Sequence, residues 1–366
     1  MIVEKLELNN FRNYKQLSLD FQEGTTIFYG DNAQGKTNLL EAMYLCSTTR
    51  SHRGSKDKEM IQFRQEESHI KLIVRKKEIP YRIDMHIKKN RPKGIAINGI
   101  PIKKASELFG IVNMVFFSPE DLDIIKRGPA ERRRFMDMEL CQLDKIYVSN
   151  LVNYNKCLMQ RNQLLRDLDR SPKLVDTLEI WDRQLAEYGV KIIHRRKQFL
   201  EELQTLLTPI HRNLTNGIEN IRISYDACIE DEKLYHTLAV NREKDIRQKM
   251  TSVGPHRDDI RFSLGDMDIR RFGSQGQQRT AALSLKLAQI SLVKQMIHDT
   301  PVLLLDDVMS ELDGGRQNHL LESLKSGQTF ITCTGLEELI ENRFTLDNIY
   351  KVVNGTVFAG KEPYNE

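Results

Sequence analysis

Gly30-Asp31-Asn32-Ala33-Gln34-Gly35-Lys36-Thr37 is the stretch whose residue types and spacing most plainly carry chemistry. Two glycines separated by four residues and followed by Lys-Thr match a phosphate-binding loop. The glycines let successive backbone N–H groups turn toward an anion, and the start of the following helix adds positive potential. In that pattern Lys36 reaches the β- and γ-phosphates of ATP, and the Thr37 hydroxyl is a Mg2+ ligand. Val302-Leu303-Leu304-Leu305-Asp306-Asp307 supplies the complement. Four apolar residues bury a strand, and its carboxylates emerge at the carboxyl end, where open α/β sheets bind ligands. Asp306 is the candidate to hold Mg2+, directly or through water, and Asp307 the candidate to orient an attacking water. A strand followed by an acid is common, so this segment gains its meaning from the loop.

Ser274-Gln275-Gly276-Gln277-Gln278-Arg279 precedes a helix expected to begin near Thr280. The segment resembles the Ser-Gly-Gly-Gln signature of ABC ATPases, with Gln275 in place of the first glycine. A serine hydroxyl, an accessible glycine backbone and a helix start form a second anion site, which needs a γ-phosphate from outside its own subunit. The bland alternative is a polar helix start. The order of loop, signature and acidic strand, followed by Ser310-Glu311-Leu312-Asp313, which resembles a D-loop, favours an ATPase whose site is completed by a second copy.

The positioning elements follow from periodicity. Ile2, Leu6 and Leu8 share one parity, as do Leu17, Leu19 and Phe21, so both segments read as half-buried strands. Thr25–Tyr29 is a β-branched and aromatic run ending on the loop, and Leu39, Leu40 and Met43 switch to helical spacing. Residues 70–102 return to short strands of antiparallel texture, with Asn98-Gly99 as a two-residue hairpin turn. Ile111–Phe117 reads as a strand that rejoins the core sheet. After Pro129 glycine becomes scarce and apolar residues recur at helical intervals, with a break at Ser171-Pro172 and a second long helix from Lys173 to Leu207. Ala281–Lys294 and Arg316–Lys325 read as helices, Thr329–Cys333 as a strand, and Asn354-Gly355 as the turn of a closing hairpin. These patterns predict a discontinuous ATPase domain over 1–130 and 251–366, interrupted by a helical lobe over 131–250.

Composition bounds the alternatives. The chain has 366 residues, 40% hydrophobic and 29% charged, with a net charge of +4, as for a globular protein with long exposed helices. No apolar run approaches the roughly 18 residues that span a bilayer, and no secretory signal is visible, so a cytoplasmic protein without membrane partners is expected. The five cysteines are scattered without metal-like spacing and read as reduced thiols. Basic clusters at Lys88–Lys93 and His194–Lys197, and the run Arg132-Arg133-Arg134, read first as solvated or ion-paired faces, with phosphate contact as the alternative.

The resemblance narrows further. Leu8-Asn9-Asn10-Phe11-Arg12-Asn13-Tyr14, the loop through Glu41, Ser51-His52-Arg53, Ser118-Pro119-Glu120-Asp121-Leu122, residues 128–137 and Gly254-Pro255-His256-Arg257-Asp258-Asp259 are similar to the RecF family of bacterial recombinational-repair ATPases, from end to end. The resemblance implies an α/β, ABC-type, SMC-like ATPase head with an antiparallel β subdomain and an inserted helical lobe. It also implies that the protein binds ATP and DNA, duplex and gapped or single-stranded. Such a protein dimerises with ATP and helps to load recombinase at single-strand gaps with mediators of the RecR and RecO type. The catalytic candidates are then Lys36, Asp306, Asp307 and Ser274. The ATP-binding candidates are Gly30, Asp31, Asn32, Ala33, Gln34, Gly35, Lys36, Thr37, Arg53, Ser274, Gly276 and Gln277, and the metal candidates are Thr37 and Asp306. Three departures stand out. Asp307 replaces the usual glutamate and is shorter by a methylene, which suggests slow hydrolysis; Phe330–Thr334 lacks a histidine; Arg127 stands where that family leads one to expect glycine. Ser118–Asp121 is the candidate Q-loop segment. A transporter ATPase subunit and an SMC-like structural protein are the competing readings. The first lacks any membrane-partner signature, and the second has too little chain for a long arm.

Overall fold

The computed structural model describes residues 1–309, 312, 314–324, 327–335 and 348–360. The chain forms two compact units, Met1–Asp121 with Gln289–Glu366, and Leu122–Ala288.

In the first unit, β1 (Ile2–Phe11) and β2 (Tyr14–Asp20) open an antiparallel sheet. Strand β3 (Thr25–Tyr29) starts a second sheet and ends on the phosphate loop, from which α1 (Lys36–Thr48) rises. β4 (Glu67–Lys76), β5 (Ile79–Lys88), β6 (Arg91–Ile97) and β7 (Ile100–Pro101) complete the first sheet in the order β2-β1-β4-β5-β6-β7. Its hairpin at Asn98-Gly99 has both φ values positive, 52° and 82°, as the expected turn requires. A register shift between Val3 and Lys5 changes which parity of β1 faces inward. Val3, Leu6, Leu8 and Phe11 are therefore the buried set, rather than a single parity running from Ile2.

β8 (Met114–Phe117) belongs to the second sheet. The second unit then begins with α2 (Leu122–Lys126), α3 (Pro129–Leu143), α4 (Lys145–Asp167) and α5 (Leu178–Leu214). There follow β9 (Ile221–Asp226), α6 (Leu234–Val240), α7 (Arg242–Gln248), β10 (Asp259–Leu264), β11 (Met267–Asp268), α8 (Ile269–Phe272) and α9 (Gln275–Ile297). The chain returns to the first unit through β12 (Val302–Asp306), α10 (Gly314–Leu324), β13 (Thr329–Cys333), β14 (Asn348–Val353) and β15 (Thr356–Ala359). The second sheet runs β15-β14-β3-β13-β12-β8, parallel except for β15. Parallel pairing sets the carboxyl ends of β3, β12 and β8 on one edge, so the loop after Tyr29, Asp306 and Ser118 emerge together. The interior is aromatic: Phe28 and Phe330 stack with centroids 6.4 Å apart, and Phe21 packs edge-on against Phe330 at 4.9 Å. Leu39, Leu40, Met43 and Leu45 of α1 are buried, each contributing about 1.5–3 kcal/mol.

The second unit ends at Ala288 and is not wholly helical, whereas the sequence suggests a helical lobe closing near Met250. The cause is β9, which lies inside 131–250 and pairs antiparallel with β10 and, through it, β11. Its helices are bound by buried ion pairs. Asp144 caps α4 through Ile146 N and Tyr147 N at 2.8 and 3.0 Å. Arg161, fully buried, reaches Asp182 and Asp245 at 2.7 Å and Thr251 at 2.9 Å. Arg196 donates to Tyr147 at 2.9 Å, Asp137 at 2.7 Å and the Pro255 carbonyl at 2.7 Å. The segment Gly254–Asp259 ties these helices to β9. Gly254 has φ +127° with the Tyr154 hydroxyl where a Cβ would stand. His256 meets Tyr154 at 2.7 Å, and Asp258 accepts from Tyr225 and from Cys228 N. Asp259 receives Arg132 at 2.6 and 2.9 Å. Among the described residues no helix is long and apolar enough to cross a membrane.

Candidate nucleotide site

Backbone geometry comes first. Gly30, Ala33 and Gly35 have φ of 145°, 64° and 114°, a succession of positive values that turns the loop back on itself. A Cβ on Gly30 would lie 2.5 Å from the Val352 carbonyl oxygen, and one on Gly35 would lie 2.4 Å from the Asn13 amide. Glycine is therefore demanded twice over, by dihedral and by space. Inside the loop the buried Lys36 ammonium donates to the Gly30 carbonyl at 2.6 Å and to the Asp31 carbonyl at 3.0 Å. A buried ammonium held by oxygens of its own loop is aimed where phosphate oxygens would sit.

Strand β12 delivers the acid. Thr37 Oγ1 donates to Asp306 Oδ1 at 2.7 Å, and Thr332 Oγ1 donates to the same oxygen at 2.7 Å. Burial drives the Asp306 carboxyl above its ordinary pKa, against the pull of Thr37, Thr332 and the Arg53 charge, and Asp307 adds to the rise. A buried carboxylate beside a threonine hydroxyl is a hard, all-oxygen donor set, which fits Mg2+. Asp307 takes φ 54°, and its N–H is held by the Thr332 carbonyl at 3.2 Å and hydroxyl at 3.0 Å. Thr332 thus serves both acids, and nothing in its spacing announced it. At the end of β8, Ser118 N donates to Asp121 Oδ2 at 2.8 Å, which closes the turn that follows.

Other supports were also silent in the sequence. The Gln34 carbonyl accepts from Asn13 Nδ2 at 2.8 Å and from Gly355 N at 3.1 Å, and its side chain accepts from Asn354 N at 2.7 Å. Tyr14 donates to the Gly35 carbonyl at 3.0 Å, and burial pushes its phenol above the ordinary value, so it stays a donor. Arg12 forks onto Glu41 at 2.8 and 2.9 Å, and Ser51 donates to Glu41 at 2.5 Å. Burial raises the Glu41 pKa, but Arg12 and Ser51 outweigh it and the net shift is downward. Arg53 is exposed, with Nη1 at 3.4 Å from Asn38 Oδ1. The structure therefore gathers Gly30–Thr37, Arg53, Asp306 and Asp307 at one sheet edge.

The signature belongs to the second unit. Helix α9 begins at Gln275 rather than near Thr280, so Gly276 and Gln277 form its first turn. Ser274 N donates to Gln277 Oε1 at 2.9 Å, and Gln277 N donates to the Ser274 hydroxyl at 3.2 Å, a reciprocal cap. A hydroxyl that accepts this bond keeps its own hydrogen for another acceptor. Ser274, Gln275 and Gly276 are exposed, and a Cβ on Gly276 would meet only Ser274 Oγ, at 3.9 Å. Ser310, Glu311 and Asp313 of the D-loop segment lie outside the described residues.

The basic clusters resolve differently. Lys88 pairs with Glu67 at 3.1 Å, Lys89 with Glu66 at 2.7 Å and Lys93 with Asp57 at 2.7 Å. In the other cluster Arg196 is buried, Arg195 reaches Asp144 at 3.1 Å, and His194 and Lys197 share Asp231. Arg127 forms an i,i+4 pair with Asp123 at 2.8 Å, and its carbonyl accepts from Arg132, which gives this arginine a local role.

A family model described as the RecF/RecN/SMC N terminal domain matches residues 2–357. A protein named DNA replication and repair protein RecF from Lachnospira eligens is 61% identical over 359 residues, covering 98% of this chain and 99% of its own. Its namesake from Clostridium perfringens is 44% identical over 362 residues, with 98% and 99% covered. A solved structure described as the recombination mediator protein RecF-ATP in the RecFOR pathway superposes with TM-score 0.92 at 38% identity, covering 98% of this chain and 97% of that one. An Smc head domain from Pyrococcus furiosus, at TM-score 0.54 and 18% identity over 97% of this chain and 94% of that one, shares the fold.

Proposed function

The chain belongs to the RecF/RecN/SMC N-terminal-domain family, and from that membership we propose that it is an ATP-dependent DNA-binding protein of replication and recombinational repair. It dimerises with ATP on DNA at single-strand gaps, hydrolyses ATP slowly as a switch, and works with mediators of the RecR and RecO type to help load recombinase. The observation that carries this reading is the 2.7 Å hydrogen bond from Thr37 to Asp306, which joins the phosphate loop to the acidic strand. The loop's N–H groups and Lys36 bind the β- and γ-phosphates. Thr37 and Asp306 would hold Mg2+, which when bound offsets charge on the phosphates. A carboxylate oxygen of Asp307 orients the attacking water, and the Ser274 hydroxyl of a second copy donates to the γ-phosphate.

Complementation tests this reading. Lys36→Met should lose ATP binding, whereas Ser274→Arg should bind ATP as a monomer yet neither dimerise nor hydrolyse. In a mixed dimer both lesions fall in one composite site and the other site is intact, so mixing the two inactive variants should restore part of the ATPase rate. Normal ATP-driven dimerisation by Ser274→Arg in size-exclusion chromatography would overturn the shared-site reading.

A further inference from the structure

The reciprocal cap at the start of α9 fixes the orientation of the Gln277 amide. Ser274 N can donate only to an oxygen, so Oε1 faces it and Nε2 must face away. Gln277 Nε2 donates to Glu219 Oε1 at 2.9 Å. Glu219 lies in the segment between α5 and β9, and its second oxygen meets His211 Nε2 at 3.2 Å. His211 is fully buried in the last turn of α5, and its Nδ1 meets Ser284 Oγ at 2.9 Å. Ser284 is again on α9. The side chains thus form a circuit that leaves α9 at Gln277, passes through Glu219 and His211, and returns to α9 at Ser284. No site residue expected from the sequence other than Gln277 lies on it.

Each member has a partner on either side. With its hydrogen on Nε2, neutral His211 donates to Glu219 and presents Nδ1 to the Ser284 hydroxyl; burial lowers its pKa, which favours the neutral form, while Glu219 pulls the other way. The Ser284 hydroxyl also donates to the Thr280 carbonyl at 2.7 Å, so its single hydrogen serves one of these two acceptors at a time. An unrestrained glutamine in a first helical turn samples several rotamers, and each departure from the observed one uncaps Ser274. A charge-assisted hydrogen bond to a carboxylate held by a buried histidine removes that freedom before any ligand arrives.

We propose that Glu219 is a positioning residue for the signature: it holds the Gln277 amide so that Ser274 keeps the geometry in which it takes the γ-phosphate bound to a second copy, and through His211 it links that geometry to the end of α5. The proposal rests on the shared-site reading above. Glu219 acts through Gln277 and touches no nucleotide, so it should alter dimerisation and leave the monomer's own ATP binding alone.

The test uses full-length protein, measuring ATP affinity of the dilute monomer with a fluorescent analogue and ATP-driven dimerisation by light scattering. Glu219→Ala should bind the analogue normally but need about tenfold more protein or worse to dimerise, the loss expected for one hydrogen bond to a charged group. Glu219→Gln keeps an acceptor for Gln277, and its amide N–H can donate to His211 Nε2 once the imidazole hydrogen moves to Nδ1 and faces Ser284, so it should restore dimerisation. Dimerisation of Glu219→Ala at the wild-type concentration, with Ser274→Arg still monomeric, would sink the proposal and leave the shared site standing. If Ser274→Arg also dimerised, the shared-site reading itself would fall. Failure of Glu219→Gln to rescue, or loss of analogue binding in Glu219→Ala, would mark the residue as merely structural and overturn its positioning role.

Discussion

Asp306 is held in a conflict that a divalent cation would relieve. Burial raises its pKa, two hydroxyls and Arg53 only partly offset the rise, and Asp307 adds to it. Because the folded value lies above the unfolded one, the ionised carboxylate costs stability; the cost is absent below the unfolded value, grows as pH rises between the two, and is full above the folded value. Protons and metal compete for this oxygen. Metal-dependent ATP binding should therefore weaken as pH falls through the elevated Asp306 value, and Asp306→Asn should abolish the metal dependence; titration calorimetry at several pH values reads both. The neighbouring acid separates binding from turnover. Asp307→Asn should still dimerise with ATP while single-turnover hydrolysis drops by about a hundredfold or more. Lys36 and Thr37 were legible because phosphate chemistry dictates residue types within a few positions of one another, and Asp306 because an apolar run that ends in carboxylates marks the end of a buried strand. Thr332, Asn13 and Asn354 were not, since a lone hydroxyl or amide has no spacing rule of its own.

At the level of the elements, the helical unit is held by buried arginines as much as by apolar packing. Arg161→Ala would strand the Asp182 and Asp245 carboxylates, both fully buried, although Arg242 still reaches Asp182 at 2.7 Å. Breaking such a network by removing one partner costs about 3–5 kcal/mol. Urea unfolding of this variant should show an early transition in which the helical unit melts while the phosphate loop still binds ATP; a single transition at the wild-type midpoint would refute that assignment. The same arginines show where sequence reading stops. Runs such as Arg132-Arg133-Arg134 and His194-Arg195-Arg196-Lys197 look like surface charge, yet Arg132 and Arg196 are buried. Successive helical residues point about 100° apart, so a basic run presents one member inward and the others outward. Only the acid waiting inside decides which, and here those acids are Asp259 and Asp137. The Gly254–Asp259 segment, to which no spacing rule gave a role, supplies Asp259 to Arg132 and the Pro255 carbonyl to Arg196.

At the scale of the whole molecule, a net charge of +4 gives little long-range attraction to DNA, so local clusters must supply it. The hairpin lysines are paired with Glu66, Glu67 and Asp57, but such half-exposed pairs contribute about 0–1 kcal/mol and phosphates can displace them. Charge reversal at Lys88 and Lys89 should weaken binding alike across DNA sequences and lower the slope of log affinity against log salt by about one for each phosphate no longer neutralised. An unchanged slope in fluorescence anisotropy would return the hairpin to a solvated face.

The place of β3 in its sheet has a consequence for how the protein is made. Its neighbours are β13 and β14, with Thr25 opposite Thr329 and Thr26 opposite Asn348, so the strand bearing the phosphate loop is translated early and paired last. A ribosome adding about 5–20 residues per second exposes β3, with Ile27 and Phe28 uncovered, for much of the synthesis of the chain. This sheet of the first unit therefore closes only when its final strands emerge. Asp306 on β12 and Thr332 on β13, which complete the nucleotide site, are likewise made long after the loop they face.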